Sequence, residues 1–189
     1  GVNNGALSSK TWWELARETA SFRKHLKRFN IKVPSINYKE IQDEVRLAVK
    51  ERRSMLEEHL FLMQSASGGN DLLTFMKGTA KLISQNDIEI MDGHTRETVR
   101  GDYIILATGS RPRHLPGITV DERIVMTSDG IEHMDEFPES MVIVGAGVIG
   151  CEYATIFSGF GKTKVHLIDK GDRILPFEDD DVVAVIERN

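Results

Sequence analysis

The stretch Met141-Val142-Ile143-Val144-Gly145-Ala146-Gly147-Val148-Ile149-Gly150-Cys151-Glu152 decides the fold. An apolar run of strand character ends at Gly145, a G-x-G-x-x-G follows at once, and Glu152-Tyr153-Ala154-Thr155-Ile156-Phe157 continues as a helix. A second β-like run, Lys164-Val165-His166-Leu167-Ile168, closes on Asp169. Strand, glycine turn, helix and strand in that order form the context in which this pattern binds a dinucleotide. Gly145 permits the tight turn, Gly147 lets a pyrophosphate approach the backbone, and Gly150 lets the helix pack closely on its strand. At the helix start, through Val148 and Ile149, free N–H groups and the helix dipole attract phosphate charge. Asp169 stands where a carboxylate can accept from a ribose 2′-OH. The bland alternative, a glycine-rich turn that binds nothing, is disfavoured because the spacing and both flanking strands agree.

The remaining sequence narrows the class. With 189 residues, 40% hydrophobic and 28% charged, the chain reads as globular, of one domain or one and part of another. A net charge of −5 gives no electrostatic case for nucleic acid or an anionic membrane as partner. No apolar run approaches the ~20 residues of a membrane span. A single cysteine, Cys151, excludes an internal disulfide framework and fits a reducing, cytoplasmic compartment. Without a resolving partner, Cys151 reads as a small packing residue between helix and strand, although a helix start could activate it. No metal site is read.

Upstream, Trp12, Leu15, Thr19, Phe22, Leu26 and Phe29 recur at helical spacing, a Trp and Phe stripe that reads as core packing rather than a cofactor cage, with Ser8, Ser9 or Thr11 able to cap the helix. Val33-Pro34-Ser35-Ile36 breaks it, and Asn37 with Glu40 resembles the cap of a second helix. Ile41, Val45, Ala48, Val49, Met55, Leu56, Leu60 and Met63 carry the apolar face of that helix, which makes a two-helix arm with the first. A flexible turn is read over 65–70, where Gly68-Gly69 follows serine and alanine. Strands follow: one within 73–83, a hairpin of Ile88–Met91 and Glu97–Arg100 about Asp92-Gly93, and a buried-type strand, Tyr103-Ile104-Ile105-Leu106. Gly78 marks a close backbone approach. Ser128-Asp129 caps a short helix before Pro138.

Four ordered motifs resemble those of the FAD-dependent pyridine nucleotide-disulfide oxidoreductases. Leu7-Ser8-Ser9-Lys10-Thr11 is similar to the start of the helix that passes the flavin, and Lys77-Gly78-Thr79-Ala80 to the strand that meets the adenine end of FAD. Ile105-Leu106-Ala107-Thr108-Gly109-Ser110-Arg111-Pro112 resembles the second flavin-domain signature, and Gly145 to Glu152 the nicotinamide-nucleotide fingerprint. The resemblance implies an α/β, Rossmann-like two-domain flavoprotein fold that binds FAD and NAD(P), with a long two-helix arm and a β-meander. It places a partial FAD-binding domain at 1–115 (arm about 8–66, strands about 72–109) and a partial NAD(P)-binding domain at 116–189.

The resemblance further implies that Lys10, Thr79, Ala80, Ala107, Thr108 and Gly109 approach FAD. Gly145, Gly147, Val148, Ile149, Gly150, Glu152 and Asp169 would approach the nicotinamide nucleotide. It gives Lys10 and Glu152 a catalytic role as a pair beside the flavin. Disulfide members carry two cysteines ahead of this lysine, at positions that map onto Gly1 and Ala6, and neither is a thiol here. That departure resembles the transhydrogenase branch, in which hydride passes between NADH and NADP+ through FAD without a redox-active disulfide. Alternatives are a disulfide-less NADH-dependent reductase or oxidase, and a non-catalytic nucleotide-binding fragment. The first flavin fingerprint and the dimerisation domain have no counterpart in the sequence. The chain therefore reads as truncated at both ends, inactive in isolation, and derived from an enzyme expected to be a homodimer.

Overall fold

A computed structural model describes residues 5–65 and 73–188. The elements run α1 (Ala6–Arg28), α2 (Tyr38–Ser65), β1 (Thr79–Leu82), β2 (Asp87–Asp92), β3 (Thr95–Arg100), a 3-10 turn (Gly130–His133), β4 (Ser140–Val144), α3 (Val148–Phe160), β5 (Lys164–Ile168) and α4 (Asp180–Arg188). Packing divides the chain into two compact units, one of residues 1–53 with 112–189 and the other of 54–111.

In the first unit β4 and β5 pair in parallel, from Ser140 opposite Lys164 to Val144 opposite Ile168, with α3 as the crossover. This is the βαβ unit that the glycine motif and its flanking apolar runs predict. α1 lies along α3 in the same direction: Ser9 meets Glu152, Ala16 meets Gly159, and Arg23 meets the Gly159 carbonyl. Gly159 permits that approach, since a Cβ there would sit 3.2 Å from both the Ala16 Cβ and its carbonyl oxygen. The core joins Trp12 and Ala16 of α1, Tyr38 and Val45 of α2, and Ile156, Phe157 and Phe160 of α3. Its aromatic rings interlock, with the Trp12 ring 5.2 Å from Tyr38 and edge-on to Phe160 at 5.9 Å. Such pairs add about 0.5–1.5 kcal/mol each beyond simple burial.

The 3-10 turn is tied to this core through its backbone. The Tyr38 hydroxyl donates to the Ile131 carbonyl at 2.6 Å, and the Gln42 amide donates to Glu132 and Met134 carbonyls at 2.7 and 3.1 Å. Desolvation raises the Tyr38 phenol far above its ordinary range, so it stays a neutral donor. Two buried polar atoms are left without a partner among the described residues, Trp12 Nε1 and Thr163 Oγ1. An unmet buried donor costs about 1–3 kcal/mol.

In the second unit β1, β2 and β3 form an antiparallel meander in that order. The hairpin turns at Gly93, with φ 58, and Asp92 pairs with Thr95. Gly78 makes the close approach read from the sequence: a Cβ there would lie 2.7 Å from the Met91 carbonyl oxygen.

Several expectations are corrected. Ser9 and Thr11 lie inside α1 rather than capping it; the helix starts after Gly5, and of the three only Ser8 takes part in the cap, from inside the helix, its hydroxyl accepting the Gly5 amide hydrogen at 3.4 Å and donating back to the Gly5 carbonyl at 3.1 Å. Phe22 and Phe29 are exposed rather than core, because the α3 contact ends at the level of Arg23. Met55 and Met63 of α2 are exposed as well. Tyr103–Leu106 is neither strand nor buried; Tyr103 is 95% exposed and no strand pairs with it among the described residues. Asn37 does cap α2, its Oδ1 accepting the Lys39 amide hydrogen at 3.0 Å. Most of the turn expected over 65–70, and the Gly1 position, lie outside the described residues.

Candidate functional site

The first part of the site is the turn between β4 and α3. Gly145, at φ 110, takes a conformation that a side chain would resist, and its amide extends the β ladder to the Ile168 carbonyl at 2.8 Å. A Cβ on Gly150 would lie 1.9 Å from the Gly145 carbonyl oxygen, so α3 can start this close to the turn only with glycine there. Gly147 differs. Its φ of −78 suits any residue, and a Cβ on it would meet nothing within 4 Å. Nothing among the described residues explains a glycine at 147, whereas a ligand lying against the backbone would. α3 begins with no side-chain cap and no acid in its first turn, so its N-terminus offers amide hydrogens to an anion. Val148 and Ile149 stand exposed on that first turn.

Asp169 closes the turn from the other strand. Its Oδ2 accepts the Ala146 amide hydrogen at 2.7 Å and its Oδ1 accepts that of Gly171 at 2.8 Å. These amides hold the carboxyl below the usual carboxylate range. The chain then folds back: the Leu175 amide donates to the Ala146 carbonyl at 2.7 Å, with Leu175 itself at φ 48. A pocket of about 190 Å³ opens here between Ala146, Leu167, Asp169, Asp172 and Glu187. Arg173 also borders it, but its guanidinium pairs with Asp180 and donates to the Glu178 carbonyl at 2.5 Å. Of Lys170 and Arg173, the two cations that follow Asp169 in sequence, Arg173 is thus engaged within the chain.

The second part joins α1 to α3. Lys10 Nζ forms an ion pair with Glu152 Oε1, across 142 positions of sequence. The Ser9 hydroxyl lies 3.3 Å from both oxygens of the same carboxylate. Ser9 is 5% exposed and the Glu152 side chain 12%, whereas that of Lys10 is 65% exposed. The carboxylate is therefore gripped from its buried side while the ammonium remains open to solvent. The sequence offers Ser9 only as a helix cap; its place one residue before the lysine is the signal for this second role.

Cys151, in the first turn of α3, is half-buried, and its thiol donates to the Ala146 carbonyl at 3.4 Å. Desolvation, with a minor contribution from the Asp169 charge, raises its pKa despite the helix start. The residues expected to meet the flavin elsewhere belong to the second unit. Thr79 and Ala80 sit on β1 opposite Met91 and Ile90, and Ala107, Thr108 and Gly109 lie on an exposed irregular segment, Gly109 at φ 77. No group of three or more His, Cys, Asp or Glu among the described residues is arranged to hold a metal ion. No helix among them is long and apolar enough to cross a membrane.

Comparison with known proteins then places the chain. The sequence profile described as pyridine nucleotide-disulphide oxidoreductase matches residues 2–189. The chain belongs to that family. Members of this oxidoreductase family use FAD and NAD(P), and the fold is that of its two-domain flavoproteins. The chain is 46% identical over 112 residues to the soluble pyridine nucleotide transhydrogenase of Mycobacterium tuberculosis, covering 58% of this chain and 24% of that one. It is 30% identical over 190 residues to a dihydrolipoyl dehydrogenase of Bacillus subtilis, covering 98% of this chain and 39% of that one. Among solved structures, LpdA from Mycobacterium tuberculosis superposes with a TM-score of 0.81 at 22% identity, over 99% of this chain and 40% of that one. The chain thus spans between a quarter and two fifths of these relatives' length.

Proposed function

We propose that the chain is part of a flavin-dependent enzyme that moves hydride between NADH and NADP+ without a redox-active disulfide. The observation that carries this reading is the Lys10–Glu152 pair, with Ser9 behind it, at the same end of α3 as the dinucleotide turn. FAD, when bound, would accept the hydride and pass it on. The residues of this chain supply the rest. Hydride arrival places negative charge on an acceptor ring, and an ammonium fixed nearby stabilises that charge as it develops. Glu152 pairs with that ammonium and limits the positions it can take. The Gly147 turn and the α3 N-terminus receive the nucleotide pyrophosphate, and Asp169 meets the ribose hydroxyls. Asp169, Asp172 and Glu187 around the adjoining pocket favour a free 2′-hydroxyl over a 2′-phosphate there.

Ala6, at the position of the second cysteine of the disulfide members, and Cys151 as the single cysteine argue against dithiol exchange through this chain. The relative with the higher local identity is a transhydrogenase, which supports the same branch. On this reading residues 1–115 contribute to an FAD-binding domain and 116–189 to an NAD(P)-binding domain. Thr79, Ala80, Ala107, Thr108 and Gly109 line the flavin, and the whole enzyme is a cytoplasmic homodimer. The test is turnover by the full-length protein with paired nicotinamide nucleotides. Reduction of NADP+ by NADH, abolished by removing the flavin, is expected; reduction of oxygen or a quinone without any nucleotide exchange would replace this reading with that of a reductase or oxidase.

A further inference from the structure

The Ala146 carbonyl and the Gly147 N–H belong to one planar trans peptide, so whatever holds the carbonyl also sets where the N–H points. The carbonyl accepts the Leu175 amide hydrogen at 2.7 Å and the Cys151 thiol at 3.4 Å. The Gly147 N–H points the opposite way and meets no acceptor among the described residues. Leu175 makes its bond from an unfavourable backbone. At φ 48 it stands in the left-handed region, which a bulky side chain rarely enters, and such a conformation persists only where the surroundings impose it.

Arg173 supplies much of that constraint. Its guanidinium pairs with Asp180 at the start of α4 and donates to the Glu178 carbonyl at 2.5 Å and the Leu175 carbonyl at 3.4 Å. The chain from 173 to 180 is thus closed around one side chain. Two backbone bonds reinforce the loop: the Glu178 amide donates to the Leu175 carbonyl at 3.0 Å, and the Ile174 amide donates to the Glu187 carboxylate of α4 at 3.4 Å. A planar fork of five donors can serve two carbonyls and a carboxylate together, whereas an ammonium on a flexible stem does not fix the same geometry.

We propose that Arg173 is a positioning residue for the nucleotide: it clamps the loop after β5 in the strained form that holds the Ala146 carbonyl, and so aims the Gly147 N–H at the pyrophosphate. This rests on the reading of the Gly145–Gly150 turn as the pyrophosphate site. Arg173 needs no contact of its own with the nucleotide. NADH and NADPH share the pyrophosphate, so the clamp sets the affinity for both alike, unlike Asp169, which faces the part in which they differ.

The test is direct titration of the full-length enzyme with NADH and with NADPH, beside a thermal melt. Arg173→Met keeps the apolar stem and removes the fork; it is expected to weaken both nucleotides by the same factor, roughly tenfold. Arg173→Lys, which can still pair with Asp180, is expected to recover part of that loss. Asp180→Asn changes a side chain that is 93% exposed, so it tests the clamp even if Arg173→Met does not fold, and is expected to weaken both nucleotides roughly threefold. A lowered melting temperature with unchanged dissociation constants would make the clamp merely structural and overturn the proposal. A loss confined to NADPH would make Arg173 a reader of the 2′-phosphate and overturn it equally. The readout is binding rather than turnover, so this inference can fail while the hydride-transfer reading holds, and the reverse.

Discussion

Asp169 accepts the amide hydrogen of Ala146, so the acid that ends β5 braces the glycine turn that ends β4, 23 positions earlier. The residue proposed to meet the ribose is therefore also part of the turn that would hold the pyrophosphate. Asp169→Ala should loosen both. In the full-length enzyme we expect it to weaken NADH binding more than NADPH binding, measured by titration of each nucleotide. Equal losses would confine Asp169 to its structural role.

The brace also has a pH signature. The folded-state pKa of Asp169 is depressed, so its stabilising contribution is complete above the ordinary carboxylate pKa of about 3.9 and is lost as pH falls through the folded value. Amide exchange at Ala146 should stay slow through the neutral range and accelerate, beyond the intrinsic acid dependence, only below that ordinary value. An onset near pH 6 would assign the change to another group.

Two glycines of one motif should respond in opposite ways. Gly150→Ala drives a methyl into the Gly145 carbonyl and should cost about 1–3 kcal/mol or more in a denaturant melt. Gly147→Ala enters open space at an ordinary φ and should change stability by less than about 0.5 kcal/mol. It should nonetheless abolish nucleotide binding in the full-length enzyme. Tight NADH binding by Gly147→Ala would remove the pyrophosphate from this turn.

The Lys10–Glu152 pair is asymmetric, and so should its variants be. Lys10 is mostly exposed, so Lys10→Ala should cost less than about 1 kcal/mol of stability. Glu152→Ala strands the buried Ser9 hydroxyl and should cost about 1–3 kcal/mol. In the full-length enzyme, Lys10→Ala should slow flavin reduction by NADH far more than it weakens NADH binding. Unchanged reduction would exclude the catalytic role while leaving the clasp intact.

Cys151 should behave as an unreactive thiol. Half-burial, a raised pKa and a bond to the Ala146 carbonyl all oppose thiolate formation. Labelling of the folded chain at neutral pH should be slower than that of an unfolded control and should accelerate as pH rises. Labelling as fast as the unfolded control would contradict this.

Local pattern made some elements legible and left others hidden. The βαβ unit and the β2–β3 hairpin were readable because turn chemistry and periodicity lie within a short window, around Gly145 and around Asp92-Gly93. Tyr103–Leu106 was misread because an apolar run says nothing of whether a neighbour exists to pair with it, and pairing is what makes a strand. Phe29 was misread because periodicity cannot tell how far α3 extends along α1. In the site, the glycines and Asp169 were visible as a motif, and Lys10 and Glu152 through resemblance alone. Ser9 and the turn at Leu175 act through contacts distant in sequence, which no local pattern encodes.

The alignment of α1 with α3 sets an order of events during synthesis. Trp12 and Phe160 meet edge-on, yet nearly 150 residues separate their emergence. At roughly 5–20 residues per second, α1 waits about seven to thirty seconds for α3. The β2–β3 hairpin needs no such delay, because its strands follow one another within a few residues. A nascent chain would therefore carry a finished meander while the side of Trp12 that Phe160 later meets is still open, with only Tyr38 of α2 at hand to pack on the ring.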